Sequence, residues 1–375
     1  MKTDIIVIGG YGHVGSQISR ILGEKYPGKV YAAGRNLQRA EDFSRSTGGH
    51  VKPLRLAADQ PLDPKLLERT RLVIMCLDQQ NTRLAEACLQ SGTHYVDVSA
   101  NGEFLTQFQQ LDPVKHGFQA SALLSVGLAP GLTNLLAAQA ARGLTHTESI
   151  DISIMLGLGD SHGQAALEWT VDNLAADFTI TEHGRPRSVS SFTEAKTADF
   201  GFDLRQHRAY RFPFSDQVTL PLTLDVPSVS TRLCFDSRSA TSAAALLRRT
   251  GLTRLLRNRT VRNLTVKALS RIRFGSEGYA VKIDAYGSLD GKPAKAEYGI
   301  TGVHEAAITA VTAAGAALRL YESAPEPGVY HIEQLFALQS EGDKCALIPA
   351  APDGSGSSFR YPLDGLAIWS RSSRL

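Results

Sequence analysis

Ile5-Ile6-Val7-Ile8-Gly9-Gly10-Tyr11-Gly12-His13-Val14-Gly15 is the stretch whose reading decides the fold. Four β-forming residues run into G-x-G-x-x-G. Val14, Ile18, Ile21 and Leu22 then recur at the spacing of one helix face. The pattern predicts a strand, a glycine turn and a helix whose N-terminus faces a pyrophosphate. Gly10 is expected to make the tight turn, Gly12 to let backbone approach the phosphates, and Gly15 to let the helix pack on the strand. Tyr11, His13 and Val14 complete the predicted cradle. Unpaired N–H groups and the positive end of the helix dipole favour an anion there.

Which dinucleotide fits is read at the end of the second predicted strand, Val30-Tyr31-Ala32-Ala33-Gly34-Arg35-Asn36. An NAD site usually places an acid about 20 residues beyond the glycines to hold the ribose 2′-hydroxyl. Here that position is Arg35, between Gly34 and Asn36, with no acid in the segment. A guanidinium fork suits a 2′-phosphate, so the expected cofactor is NADP(H).

A chain of 375 residues is long for one core, which predicts two domains. With 43% hydrophobic residues, no apolar run long enough to span a bilayer and no leader-like start, the expectation is a soluble cytoplasmic protein. Cys76, Cys88, Cys234 and Cys345 form no C-x-x-C pair, so neither a disulfide framework nor a metal site is expected. A net charge of +3 does not point to nucleic acid. The distribution of charge is more telling: from Arg248 to Arg273 nine basic residues interleave with leucines and valine, without an acid. This predicts one or two amphipathic helices. They form either a solvated face whose basic stems cover core, a rim for an acidic substrate, or a docking surface for a membrane or an acidic partner.

Strands and helices alternate through the first 146 residues as a doubly wound parallel sheet requires, with strands at 72–77, 94–98 and 122–126. Ligands of such sheets bind beyond the carboxyl ends of the strands. Tyr11, Arg35, Asp59, Cys76, Leu77, Asp97, Ser99, Gly127 and Pro130 are the candidates there. From 147 the rhythm changes to longer, partly alternating strands at 149–156, 188–191, 218–224, 230–235 and 279–288, predicting a mainly antiparallel sheet. The fold class is therefore α/β: a Rossmann NADP-binding domain over 1–146 and an α+β substrate and dimerisation domain over 147–303. A return helix and C-terminal segment over 304–375 is expected to pack on the first domain. Gly354-Ser355-Gly356-Ser357-Ser358 reads as a flexible link.

The chain resembles the saccharopine dehydrogenase (saccharopine reductase) superfamily, which includes lysine 6-dehydrogenase-like and carboxynorspermidine synthase-like enzymes. Beyond the glycine motif, the resemblance is carried by Ala85-Glu86-Ala87-Cys88, by Ser91 to Ser99, by Gly127-Leu128-Ala129-Pro130-Gly131, and by Pro327-Gly328-Val329-Tyr330-His331-Ile332-Glu333-Gln334-Leu335-Phe336. It covers the cofactor domain and the return helix. The middle third is only generically similar. The resemblance implies hydride transfer between a nicotinamide and a C–N bond, typically reduction of an imine formed from an aldehyde and an amine.

Such a reaction needs positioning, exclusion of water and a proton at nitrogen, but no covalent nucleophile. Asp97, just beyond a strand, is the candidate to orient an iminium or amine, or else it caps a local turn. His162, in Gly157-Leu158-Gly159-Asp160-Ser161-His162-Gly163, is the candidate proton donor, or a turn residue. Glu168, Trp169 and Asp172 on the next helix are candidates to bind a cationic amine, although a half-buried helix gives the same pattern. Three functions stay open: an imine or carbonyl reductase, a trans-acting enoyl reductase on an acidic carrier protein, and a non-catalytic NADP(H) sensor. A homodimer is also expected, through the second sheet.

Overall fold

The computed structural model describes residues 2–271, 274–341, 344–350 and 359–374. The chain forms two compact units. The first comprises Met1–Leu132, Ala306–Ala337 and Leu347–Tyr361. The second comprises Thr133–Glu305, Leu338–Ala346 and Pro362–Leu375.

The first unit is built on strands β1 (Asp4–Ile8), β2 (Val30–Gly34), β3 (Val51–Arg55), β4 (Thr70–Met75), β5 (His94–Asp97) and β6 (Ser121–Leu124). They lie in the order β3-β2-β1-β4-β5-β6, with the strand Gly328–His331 beyond β6, and all pairs are parallel. Both sheet faces are covered, so the strands are apolar runs rather than alternations. Ile5, Ile6, Val7 and Ile8 are all fully buried. Strand order reverses between β1 and β4, and the crevice beyond their carboxyl ends is where such a sheet binds a nucleotide. The long helix Glu305–Glu322 is rich in alanine, and its residues from Ala306 onward belong to this unit.

A mixed, mainly antiparallel sheet organises the second unit. Its strands are, in spatial order, Lys196–Ala198, His207–Arg211, Val229–Phe235, β7 (His146–Leu156), Gly278–Leu289, Lys292–Val303 and Ala367–Arg374. Only the Val229–Phe235 pairing with β7 is parallel. Ile150, Ile152 and Ile154 of β7 turn to the buried face, which packs on the helix Thr133–Arg142. The opposite face carries Lys282, Asp284, Lys295 and Glu297 as a mutually paired quartet, with Lys282 Nζ 2.9 Å from Glu297 and Lys295 Nζ 2.7 Å from Asp284. The hairpin between Gly278–Leu289 and Lys292–Val303 turns at Asp290 and Gly291, with φ of 53° and 74°, the signature of a type I′ turn.

Three details depart from the sequence reading. Residues 218–224, expected as a strand, lie in the helix Asp216–Thr223. Gln217 explains this: its amide donates to the carbonyls of Phe212 (2.7 Å) and Phe214 (3.0 Å) and accepts from Thr231 N (3.0 Å), anchoring a helical turn beside the neighbouring strand. That tertiary clamp overrides the β preference of Val218 and Thr219. Next, the change of unit falls at 132/133 rather than 146/147, because the helix Thr133–Arg142 packs on β7. Finally, the segment 304–375 is shared between the units, since Ala367–Arg374 completes the open edge of Lys292–Val303. Residues 354–358, expected as a flexible link, lie outside the described residues. No helix among the described residues is long and apolar enough to cross a membrane.

Candidate cofactor and active site

The glycine loop leaves β1 at Ile8 and enters the helix α1 (His13–Lys25). Gly10 lies in the expected tight turn, whose left-handed residue is Gly9, with φ of 81°. Gly10 serves packing as well: a Cβ there would stand 2.5 Å from Val7 O and 2.8 Å from Ala32 Cα. Gly15 meets its expected role, since its Cβ would lie 2.3 Å from Gly9 O. Gly12 is the N-cap, and no side chain caps α1. His13 is exposed and Val14 half-buried on the first turn. A glycine-walled helix start lacking a side-chain acceptor fits a dinucleotide pyrophosphate.

At the end of β2, Tyr11 lies across Gly34, where a Cβ would come within 2.3 Å of the phenolic oxygen. That oxygen accepts a hydrogen bond from Asn36 N at 3.0 Å. Asn36 also caps the helix Leu37–Ser46 by accepting from Arg39 N at 3.1 Å. The Arg39 guanidinium stacks 5.2 Å from the centre of the Tyr11 ring, and Arg35, directly after β2, is exposed. Arg39 was not singled out from the sequence. Its signal was a cation in a first helical turn, where the dipole ordinarily favours an acid. Cations thus stand at the end of β2 where an NAD site usually has an acid. Asp59 sits in an exposed turn past β3, the strand next to β2.

Leu77 follows β4 and, though 43% exposed, reaches over the loop: its Cδ2 is 3.1 Å from where a Gly9 Cβ would stand. Cys76 N donates to Ile8 O at 2.9 Å, and burial together with the nearby Asp97 charge pushes its thiol well above the ordinary range. The thiol is therefore protonated and inert. Asp97 ends β5 fully buried, accepting from Tyr95 Oη at 2.7 Å and from Ser99 N at 2.8 Å. Burial raises its acid constant to about 6, against the lowering by the Ser99 and Tyr95 hydrogen bonds. The local turn capped by Asp97 is thus observed. Through these two bonds Asp97 fixes the end of β5.

Beyond β6 the sequence reading missed a relay. Ser125 is held at φ of 58°, and its hydroxyl lies 2.7 Å from His331 Nδ1. His331 Nε2 is 3.1 Å from Gln109 Oε1. An amide oxygen only accepts, so Nε2 carries the proton and Nδ1 accepts from Ser125. Burial lowers the His331 constant to about 4, keeping the ring neutral. The relay ties β6, the strand Gly328–His331 and the helix Gly102–Gln109 together just before Gly127 and Pro130. Leu128 N in that turn donates to Thr309 Oγ1 at 3.2 Å. His331 was visible only as part of the resembling closing segment.

The remaining candidates lie in the second unit. His162 Nδ1 is 2.6 Å from Glu305 Oε1 and Nε2 is 3.1 Å from Gly157 O. Both partners are acceptors, and the Glu305 hydrogen bond raises the imidazole above its usual value. His162 therefore holds its own loop, and both of its N–H groups are committed. Glu168 and Asp172 meet Arg262, whose Nε lies 2.5 Å from Asp172 and whose terminal nitrogen lies 3.5 Å from Glu168. Trp169 packs on Phe212 and Phe214, with ring centres 5.4 and 5.3 Å away. The charges and the ring that suggested an amine site are thus matched internally. Among the described residues no group of three His, Cys, Asp or Glu is disposed to hold a metal ion.

Glycine cradle, uncapped helix and basic end of β2 define the class, a Rossmann-type NADP-binding domain. Residues 5–141 match the family model described as the saccharopine dehydrogenase NADP binding domain, and this domain of the chain belongs to that family. Comparison with curated proteins finds no match. Among solved structures the chain is similar to apo saccharopine dehydrogenase (L-Glu forming) from Saccharomyces cerevisiae. That likeness has a TM-score of 0.60 at 14% identity, over 88% of this chain and 95% of the yeast chain, and it is one of fold. A more distant one is the C. glutamicum DAP dehydrogenase in complex with DAP, with a TM-score of 0.40 at 13% identity over 89% of this chain and 94% of that one.

Proposed function

We propose that the protein is an NADPH-dependent reductase of a C=N or C=O bond in an amino-acid-like or biosynthetic intermediate. The observation that carries the reading is the stacking of Arg39 on Tyr11 of the glycine loop, with the exposed Arg35 at the end of β2, in a domain that has an uncapped, glycine-walled helix start and matches the saccharopine dehydrogenase NADP-binding family model. NADPH, when bound, supplies a hydride to the electrophilic carbon. The protein's part is positioning. Gly9 to Gly15 and α1 hold the pyrophosphate, and Arg35, Arg39 and Tyr11 hold the 2′-phosphate. Leu77 walls the loop against water. Asp97 fixes the end of β5 through Tyr95 and Ser99, and the Ser125–His331–Gln109 relay fixes the end of β6. None of these steps uses a protein nucleophile.

Fluorescence titration with NADPH and NADH, followed by turnover on aldehyde–amine pairs, carbonyls and enoyl thioesters, tests the reading. Tight NADPH binding with turnover on the first two classes supports it. Turnover confined to enoyl thioesters replaces it with the enoyl reductase, and binding without turnover on any class replaces it with a sensor.

A further inference from the structure

The segment between Asp236 and Glu277 contains no acidic residue, and it holds the largest concentration of exposed apolar side chains in the protein. Leu246, Leu247, Leu252, Leu255, Val261, Leu264 and Phe274 are exposed by 60, 45, 50, 57, 36, 62 and 49%. They are seven of the thirteen large hydrophobic residues exposed among the described residues, within a short run of sequence. Three consecutive elements carry all of them but Phe274: the helix Arg238–Arg249, the 3-10 turn Leu252–Arg257 and the helix Arg259–Leu269, each packed on the next.

The periodicities show that this exposure is built in. In a 3-10 turn residues three apart eclipse. Leu252 and Leu255 therefore form one exposed ridge and Arg254 and Arg257 another, while Thr253 is buried and Leu256 half-buried. On the helix before it, Ala243, Leu246, Leu247 and Thr250 lie at i, i+3, i+4 and i+7, and all face solvent. On the helix after it, Val261, Leu264 and Ala268 form an exposed stripe beside Lys267 and Arg271. The leucines of this stretch are thus largely exposed, while Thr253 and Val266 are buried. Arg273, the last basic residue of the stretch, lies outside the described residues. Three cations are engaged, Arg238 with the Gln206 carbonyl at 2.7 Å, Arg248 with Asp177 at 2.5 Å and Arg262 with Asp172.

We propose that this face docks on the surface of an anionic phospholipid bilayer. Exposed leucines between exposed cations such as Arg249, Arg254 and Lys267 are what an interfacial amphipathic surface needs: apolar groups enter the acyl boundary while cations meet phosphate headgroups. Charge complementarity selects an anionic surface. The aliphatic make-up favours lipid over protein, since protein contact centres draw on Trp and Tyr and under-use Leu and Val. Neither Trp nor Tyr occurs between Asp236 and Glu277.

The test is co-sedimentation of the full chain with vesicles of phosphatidylcholine alone and of phosphatidylcholine with phosphatidylglycerol, at low and high salt. Binding is expected to the mixed vesicles only, and to weaken with salt. Each cation near an anionic surface contributes about fivefold to partitioning, so Arg249→Glu, Arg254→Glu and Lys267→Glu together should lower it about a hundredfold or more. Leu255→Ser with Leu264→Ser leaves the charge intact and should also abolish retention. Every substituted residue is exposed, and unchanged NADPH affinity and circular dichroism check that the variants fold. Absence of vesicle binding, equal binding to neutral vesicles, or variants that bind like the parent would each overturn the proposal. So would binding of a purified acidic acyl carrier protein without vesicle binding, which assigns the face to a protein partner.

Discussion

Replacing Asp97 by Asn should change how the stability of the first unit depends on pH. Asp97 has no exposed surface, and burial lifts its acid constant from 3.8 to about 6. A carboxyl with a raised folded constant binds protons more tightly in the native than in the unfolded state. Its contribution is therefore most favourable in acid, and it is lost as pH rises from near 4 through 6. At about 1.4 kcal/mol per tenfold, the loss is roughly 3 kcal/mol. His331 works oppositely: its constant is lowered to about 4, so native stability falls as pH drops from 6.5 towards 4. The two nearly cancel in the wild type. Asp97→Asn keeps the shape and an acceptor for Ser99 N and loses the charge; its amide nitrogen, a donor, then faces Tyr95 Oη, which loses its acceptor at a cost independent of pH. Relative to wild type the variant should thus gain stability by roughly 3 kcal/mol between pH 4 and pH 7, whatever its offset. Hydrogen exchange of β4 and β5 amides, corrected for intrinsic rates, reports opening of this unit. A difference between variant and wild type that stays constant across this range would refute the argument that Asp97 is buried and ionises at a cost.

Arg35→Ala and Arg39→Ala should each weaken NADPH binding about tenfold or more while leaving NADH binding unchanged, the loss expected for a charge-assisted hydrogen bond. Fluorescence titration measures it, and equal losses for both nucleotides would remove the 2′-phosphate assignment. Gly15→Ala places a methyl 2.3 Å from Gly9 O, so the loop must move. Nucleotide binding should collapse, with a stability loss of about 1–3 kcal/mol by overpacking; calorimetry and titration together separate the two effects. Glu305→Gln removes the leading cause of the raised His162 constant. NMR titration should then find the ring losing its proton at lower pH, and an unchanged titration would contradict the contact.

Much of the first unit was legible because its signals are local. Glycines at fixed offsets, β-formers followed by a helical apolar stripe, and an arginine in place of an acid each report backbone geometry or charge within one βα turn. Asp97 was placed at the end of its strand for the same reason. Its burial was not legible, because desolvation depends on what β4 and the helices bring around it. His331 was hidden because its partners Ser125 and Gln109 lie 206 and 222 residues away in the chain.

The second unit shows the same divide from the other side. Alternation located β7 and the strands Val229–Phe235 and Gly278–Leu289 but not Lys196–Ala198, His207–Arg211 or Lys292–Val303; residues 218–224 follow the clamp of Gln217 rather than their own propensity, and Ala367–Arg374 becomes a strand through the edge it joins. His162, Glu168, Trp169 and Asp172 read as site chemistry in sequence, and tertiary contacts show each matched by a neighbour. The stretch around Arg254 and Leu255 was recognisable as amphipathic. Only the tertiary structure decided which of its faces meets solvent, because periodicity gives a helix two faces and says nothing of which one the rest of the chain covers. By itself the sequence determined the nucleotide fold and the charge at its 2′ corner, which local backbone chemistry specifies. Burial, ion pairing and exposure were decided by residues far apart in the chain coming together.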